Sequence, residues 1–178
     1  MTKRIALISE HASPLGVLGG VDSGGQNVYV GQIARHLAAL GYEVDVFTRR
    51  DSDRLPEVAD WVSGIRIIHV PAGPACFVRK EDMLPFMGEF TTYLLRFCRC
   101  QPECYDLIHA NFWMSGLVAC ELKKALGVPF VITFHALERF PIDRFARDWD
   151  ETFADVAGRP PLASVSVPRD LEPAGGVR

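Results

Sequence analysis

The sequence predicts an α/β protein built on a parallel sheet with helices on both faces. Three observations lead there. Apolar runs of six or seven residues alternate with longer stretches whose apolar residues recur every three to four positions. Runs such as "RIALIS" and "PFVITFH" are nearly continuously apolar, as strands covered on both faces are. Glycine closes two of the helical stretches, at Gly41 and Gly127, where a left-handed C-terminal residue is favoured. Strands alternating with helices imply parallel pairing through right-handed crossovers, a Rossmann-like layout.

The elements follow in order. Residues 4–9 form the first strand. From residue 26 to 40 the period changes to helical, with Val30, Ile33, Ala34, Leu37 and Ala38 on one face. Residues 42–48 form a second strand, and a polar loop over residues 49–60 follows. Residues 64–70 form a third strand, ended by Pro71, and Pro71, Gly73 and Pro74 open a loop. A helix is expected over residues 85–98, where Phe86, Phe90, Tyr93, Leu94 and Phe97 keep helical spacing. Residues 105–111 form a fourth strand, 115–126 a helix and 129–135 a fifth strand. Beyond them, residues 138–161 suit a helix and residues 162–167 a sixth strand. The expected organisation is one domain over residues 1–168 and a frayed tail over 169–178.

Composition excludes several functions. The chain has 178 residues, 48% hydrophobic, with 22 acidic residues against 19 Lys and Arg and a formal net charge of −3. No basic field exists to attract nucleic acid or anionic lipid. The basic start carries an apolar run of only four residues, too short for a signal peptide, and no run approaches a membrane span. The expected location is therefore the cytoplasm. Five cysteines, an odd count, suit reduced thiols there. Cys98, Cys100 and Cys104 cluster without paired Cys-x-x-Cys spacing, so they read as thiols at a helix end, and no metal is expected.

In an open parallel sheet, ligands bind beyond the carboxyl ends of the strands. Unusual residues gather at those positions. Glu10, His11 and a glycine-rich loop follow the first strand. Arg79 and Lys80 follow the third strand, either as a solvated charge cluster or to capture an anionic or hydroxyl-rich acceptor. His109, Asn111, Phe112 and Trp113 close the fourth strand, and Thr133 and His135 the fifth. The loop "GGVDSGGQNVYV" runs straight into a helix. Glycine admits close backbone approach, and the helix N-terminus presents unpaired N–H groups with a partial positive charge. Together they suit a phosphate. The loop lacks the G-x-G-x-x-G fingerprint and a Walker lysine, which disfavours dinucleotide and P-loop chemistry. Two histidines at neighbouring strand ends can bond sugar hydroxyls without carrying charge. His69 lies inside a strand and is expected to be packed, and His36 is expected on an exposed helix face.

The stretch from "GGVDSGGQNVYV" to "VFTRRD", together with "HANFWMSGLVA" and "TFHAL", resembles retaining glycosyltransferases of family four. The resemblance is nearest the sucrose synthase, sucrose-phosphate synthase and mycothiol glycosyltransferase branch and covers about residues 3–140. It implies the N-terminal, acceptor-side half of a two-domain GT-B-type enzyme, with the C-terminal donor-binding domain lying outside this chain. It implies a nucleoside-diphosphate sugar as substrate, no cofactor and no metal. Gly24, Gly25, Gln26 and Asn27 match the residues beside the donor diphosphate. His109 and His135 match the family's site histidines and are the candidates for the catalytic positions. Lys80, Asn111, Phe112, Trp113 and Thr133 fall on the acceptor side. Phe112 stands where many relatives have tyrosine, Ala136 where some have Ser or Thr, and "ERFP" replaces the usual glycine and basic residues.

The expected partners are small-molecule sugars, with a separately encoded C-terminal domain or self-association completing the cleft. Two other readings stay open: a non-catalytic binding module on the same fold, and an unrelated Rossmann-like nucleotide enzyme.

Overall fold

The computed structural model describes residues 3–15 and 24–135. The expectations for residues 16–23, for Ala136, for the helix over 138–161, for the strand over 162–167 and for the tail lie outside the described residues. Six strands form one sheet: β1 (Arg4–Ile8), β2 (Glu43–Arg49), β3 (Val58–Val62), β4 (Ile65–Val70), β5 (Leu107–Asn111) and β6 (Phe130–Thr133). Three α-helices accompany them: α1 (Gly25–Ala39), α2 (Met87–Cys100) and α3 (Trp113–Leu126). The sheet order is β3-β4-β2-β1-β5-β6. Every pairing is parallel except that of β3 with β4.

Alternation along β1 divides the core. Ile5 and Leu7 pack with Val44, Val46, Ile65, Ile67 and the α1 residues Val30 and Ala34. Ala6 and Ile8 point to the other face, where Phe47, Ile68 and Ile108 meet Phe90 and Leu94 of α2 and Met114, Val118 and Leu122 of α3. A strand between two layers has no wet side, which is why "RIALI" is continuously apolar. Helices therefore cover both faces, as expected.

The polar loop expected over residues 49–60 contains part of β3, so the sheet is mixed rather than purely parallel. Its burial alternates between exposed and half-buried, and Val58 and Val62 remain 40% and 43% exposed. The strand itself, VADWV, is mostly apolar, but it follows directly on the charged and polar stretch over residues 49–57, and the loop expected there runs through its first three residues. The hairpin signal was nonetheless present: Ser63 and Gly64 join β3 to β4, and Gly64 has φ 81°. A register shift between Asp60 and Val62 breaks the outer ladder, which discourages edge pairing. Two 3₁₀ turns, Lys80–Asp82 and Leu84–Phe86, precede α2, so that helix starts two residues later than expected. Conversely α3 starts at Trp113, two residues earlier.

A polar clamp closes the amino-terminal edge of the sheet. Asp45 is buried, and Arg66 donates to both its oxygens at 2.7 Å. Arg4 adds a bond of 3.2 Å, and the Tyr105 hydroxyl donates to Oδ2 as well. Arg4 also reaches the Glu103 carbonyl at 2.8 Å, while its backbone N–H meets Asp106 at 2.8 Å. The carboxylate thus joins β1, β2, β4 and the approach to β5. A cleft of about 730 Å³ opens at this edge, its charged walls including Arg4, Asp45 and Arg66.

Removing one member of a buried charge network strands the others. Asp45→Ala is expected to destabilise the fold by about 3 kcal/mol. Urea unfolding checks this, and a loss well below about 1 kcal/mol, the scale of an exposed ion pair, contradicts the clamp.

Candidate functional site

The site lies at the opposite, carboxyl-terminal edge. The parallel register pairs Asn111 with Thr133 and His109 with Val131. Because successive strand side chains alternate, His109 and Asn111 share one face of β5. Each then bonds two residues further along the neighbouring segment. His109 Nε2 lies 2.9 Å from Thr133 Oγ1, and His135 Nε2 lies 3.1 Å from Asn111 Oδ1. Asn111 Nδ2 donates to the His109 carbonyl at 3.2 Å. This leaves Oδ1 to accept, so neutral His135 carries its proton on Nε2 and keeps a lone pair on Nδ1.

Burial lowers His109 from its ordinary value, and the neighbouring His135 adds to the shift. His135 is lowered by burial first and by His11 next, with Glu10 opposing. Both therefore act as neutral hydrogen-bonding rings rather than as cations.

The strand-to-helix junction after β5 is sharply bent. Phe112 has φ 85° and ψ 160°, a region that non-glycine residues rarely occupy. Such a conformation costs about 1–3 kcal/mol and persists only where its surroundings enforce it. Here the Phe112 N–H donates to the Thr133 carbonyl at 2.8 Å, and the ring is 3% exposed. His11 packs edge-on against that ring at 4.8 Å. Lys80, half-buried, places Nζ 5.8 Å from the ring centre. Trp113 is half-buried beside it, 6.1 Å between ring centres. Arg79 instead stays in the surface, 3.2 Å from Asp82 and 3.8 Å from Glu81, so it belongs to a solvated charge cluster.

Several supporting contacts were not legible in sequence, although Glu10 and His11 stood out by position. Arg49, at the end of β2, is 4% exposed and donates to the carbonyls of Pro74 (2.6 Å) and Cys76, drawing in the loop that leads to Lys80. Glu10 is fully buried, one oxygen 2.9 Å from His11 Nδ1 and the other accepting from Ser115 of α3. Sequence separation hides that last pairing, since the partners stand 105 positions apart. Tyr29 packs against His135, 4.8 Å between ring centres. Its only signal was helical spacing from Gln26.

The residues around the α1 N-terminus divide. Gln26 donates to Ser9 Oγ at 3.2 Å and to the Asn111 carbonyl at 3.3 Å, which sews α1 to β1 and β5. Asn27 faces the loop instead: its Oδ1 accepts from the Gly24 N–H at 3.2 Å, and its Nδ2 donates to the Ser13 carbonyl at 2.8 Å. Gly24 has φ −112°, which any residue adopts, and a Cβ on Gly24 or Gly25 would meet nothing within 4 Å. Nothing inside the described chain therefore requires glycine at either position. His36 is exposed, and His69 is 2% exposed and bonded to the Pro56 carbonyl, as expected for both. Among the described residues, no three His, Cys, Asp or Glu side chains gather as metal ligands. No described helix is long and apolar enough to cross a membrane.

Solved structures that superpose on this chain include two synthases. Sucrose-phosphate synthase from Thermosynechococcus elongatus superposes with a TM-score of 0.73 at 28% identity, over 89% of this chain and 41% of that one. The catalytic domain of starch synthase IV from Arabidopsis thaliana, bound to ADP and acarbose, superposes at a TM-score of 0.53 and 17% identity. It covers 74% of this chain and 34% of that one, and it shows the fold alone. Fold and sheet edge together define a GT-B glycosyltransferase domain. The chain belongs to the family of the glycosyl transferase 4-like domain, whose model matches residues 24–169. D-inositol 3-phosphate glycosyltransferase from Thermomonospora curvata is 44% identical over 137 residues, 76% of this chain. That of Corynebacterium diphtheriae is 40% identical over 137 residues, 77% of this chain. The chain spans about a third of the length of these relatives, 32% of each.

The two lowered histidines set a pH dependence. Below the ordinary value of 6.5, the unfolded chain takes up protons that the folded chain refuses. Stability is thus full above pH 6.5 and falls as pH drops through that value toward the folded-state values. His109→Asn keeps a neutral hydrogen-bonding side chain and is expected to flatten the decline. Urea midpoints measured across that range check it, and an unchanged slope contradicts neutral burial.

Proposed function

We propose that this chain is the N-terminal, acceptor-side domain of a retaining glycosyltransferase that moves a sugar from a nucleoside-diphosphate sugar to a hydroxyl acceptor. The observation that carries the reading is the crossed pair of neutral histidines at the carboxyl-terminal sheet edge, next to a helix N-terminus with open space at Gly24 and Gly25.

Each part has a chemical use. As the sugar–diphosphate bond breaks, negative charge grows on the departing diphosphate. Backbone N–H groups at the start of α1, with no acidic residue in its first turn, stabilise that charge. Glycine at positions 24 and 25 lets the diphosphate approach the backbone. His135 offers the Nδ1 lone pair to a donor or acceptor hydroxyl, and His109 holds Thr133 and the strand end in place. Retention proceeds on the front face of the sugar, with the acceptor hydroxyl attacking as the diphosphate leaves and passing its proton to it. No protein nucleophile is required.

The acceptor is a phosphorylated polyol, of the sugar phosphate or cyclitol phosphate class. Support comes from Lys80 beside Phe112 and from the inositol phosphate named for the relatives. The acidic groups that grip nucleotide and sugar belong to a C-terminal domain, supplied by a longer chain or a separate one.

The purified 178-residue chain is accordingly expected to release no nucleoside diphosphate from sugar donors above a Gly25→Val control. Mixing with the C-terminal domain of a relative is expected to restore release, dependent on a polyol phosphate. Turnover by the isolated chain overturns the half-site reading. Polyol phosphate binding with no turnover in any mixture favours a non-catalytic binding module instead.

A further inference from the structure

His135 is an exposed residue at the end of β6, and its backbone sits at φ 59°. A single hydrogen bond, to Asn111 Oδ1, does not fix an imidazole about its own side-chain torsions. One ring does the rest. Tyr29, in the second turn of α1, lies 4.8 Å from the His135 ring at an interplanar angle of 76°. The same ring lies 6.3 Å from His109 at 89°. Edge-to-face geometry in this distance range is attractive, worth about 0.5–1.5 kcal/mol beyond simple burial. Tyr29 is thus the described aromatic side chain that meets both histidines.

Its delivery is built into α1. Gln26 and Tyr29 are three positions apart and share a helix face. Gln26 is tied to Ser9 of the β1 end and to the backbone of Asn111, the residue on which His135 rests. Any shift of α1 across the sheet therefore moves the Gln26 anchor and the Tyr29 ring together. At 37% exposed, Tyr29 is no core residue, and its placement at this edge is not explained by packing alone.

We propose that Tyr29 is a positioning residue of this site, bracing the His135 imidazole against Asn111 and flanking His109. The use made of the histidines rests on the transferase reading, whereas the brace is a property of the folded chain and is tested without turnover.

The test is proton–nitrogen NMR on the full chain, well above the imidazole titrations so that the rings stay neutral. The other titratable groups facing His135 are His109 from β5 and His11 and Glu10 after β1. Ring protons of Tyr29 and His135 are expected to show a direct nuclear Overhauser contact. Tyr29→Leu should move the His135 resonances toward the positions of an unconstrained histidine, and His109 by less. Tyr29→Phe, which keeps the ring, should restore them. His69, buried in β4, reports on the fold and should not move. Overturning results are an absent contact in the unaltered chain, unmoved His135 resonances in Tyr29→Leu, or a Tyr29→Phe spectrum that matches Tyr29→Leu. Should Tyr29→Leu disturb His69 as well, the contact in the unaltered chain decides.

Discussion

The parallel register of β5 and β6 is the constraint on which the site depends. Asn111 opposite Thr133 is what lets two diagonal bonds form at once, His109 to Thr133 and Asn111 to His135. A slip of one residue turns every side chain of a strand to its other face. Here it would part both bonded pairs together. The next ladder bond, from the Phe112 N–H to the Thr133 carbonyl, also enforces the unfavourable backbone at Phe112. Strand pairing, strained junction and histidine geometry are thus one arrangement.

Much of this was legible in the sequence, for a physical reason. Strands β1, β4, β5 and β6 are short and mostly apolar, β2 alternates valine with charged residues, and α1 and α2 carry helical periodicity. Strand β3 was hidden because its short run VADWV follows directly on a charged, proline-containing stretch and pairs antiparallel with β4 at the sheet edge, outside the strand–helix alternation. His109 and His135 stood out as polar residues closing apolar runs, although β6 proves to be a half-exposed edge strand, and His135 follows two residues after Thr133, the partner of the other ring.

What sequence could not supply was the direction each side chain takes. Gln26 and Asn27 look equivalent, yet Gln26 reaches Asn111 while Asn27 ties Gly24 to Ser13. Arg79 and Lys80 look equivalent too, yet one pairs with surface carboxylates and the other reaches Phe112. Helix and turn geometry separates such neighbours by about 100° or more, and only the folded backbone says which points inward. Ser115, Arg49 and Tyr29 act through partners distant in sequence, so no local pattern reveals them; Glu10 stood out after β1, but its pairing with Ser115 did not.

The clamp around Asp45 ties β1, β2 and β4 at the amino-terminal edge of the same sheet whose carboxyl-terminal edge carries the histidines of β5 and of the segment after β6. The polar knot and the histidine rim therefore occupy opposite poles of one sheet, joined by an apolar middle. Substitutions that retune the loops at the carboxyl pole leave the polar knot at the other pole intact. Such a scaffold can exchange residues at one rim while its foundation stays unchanged.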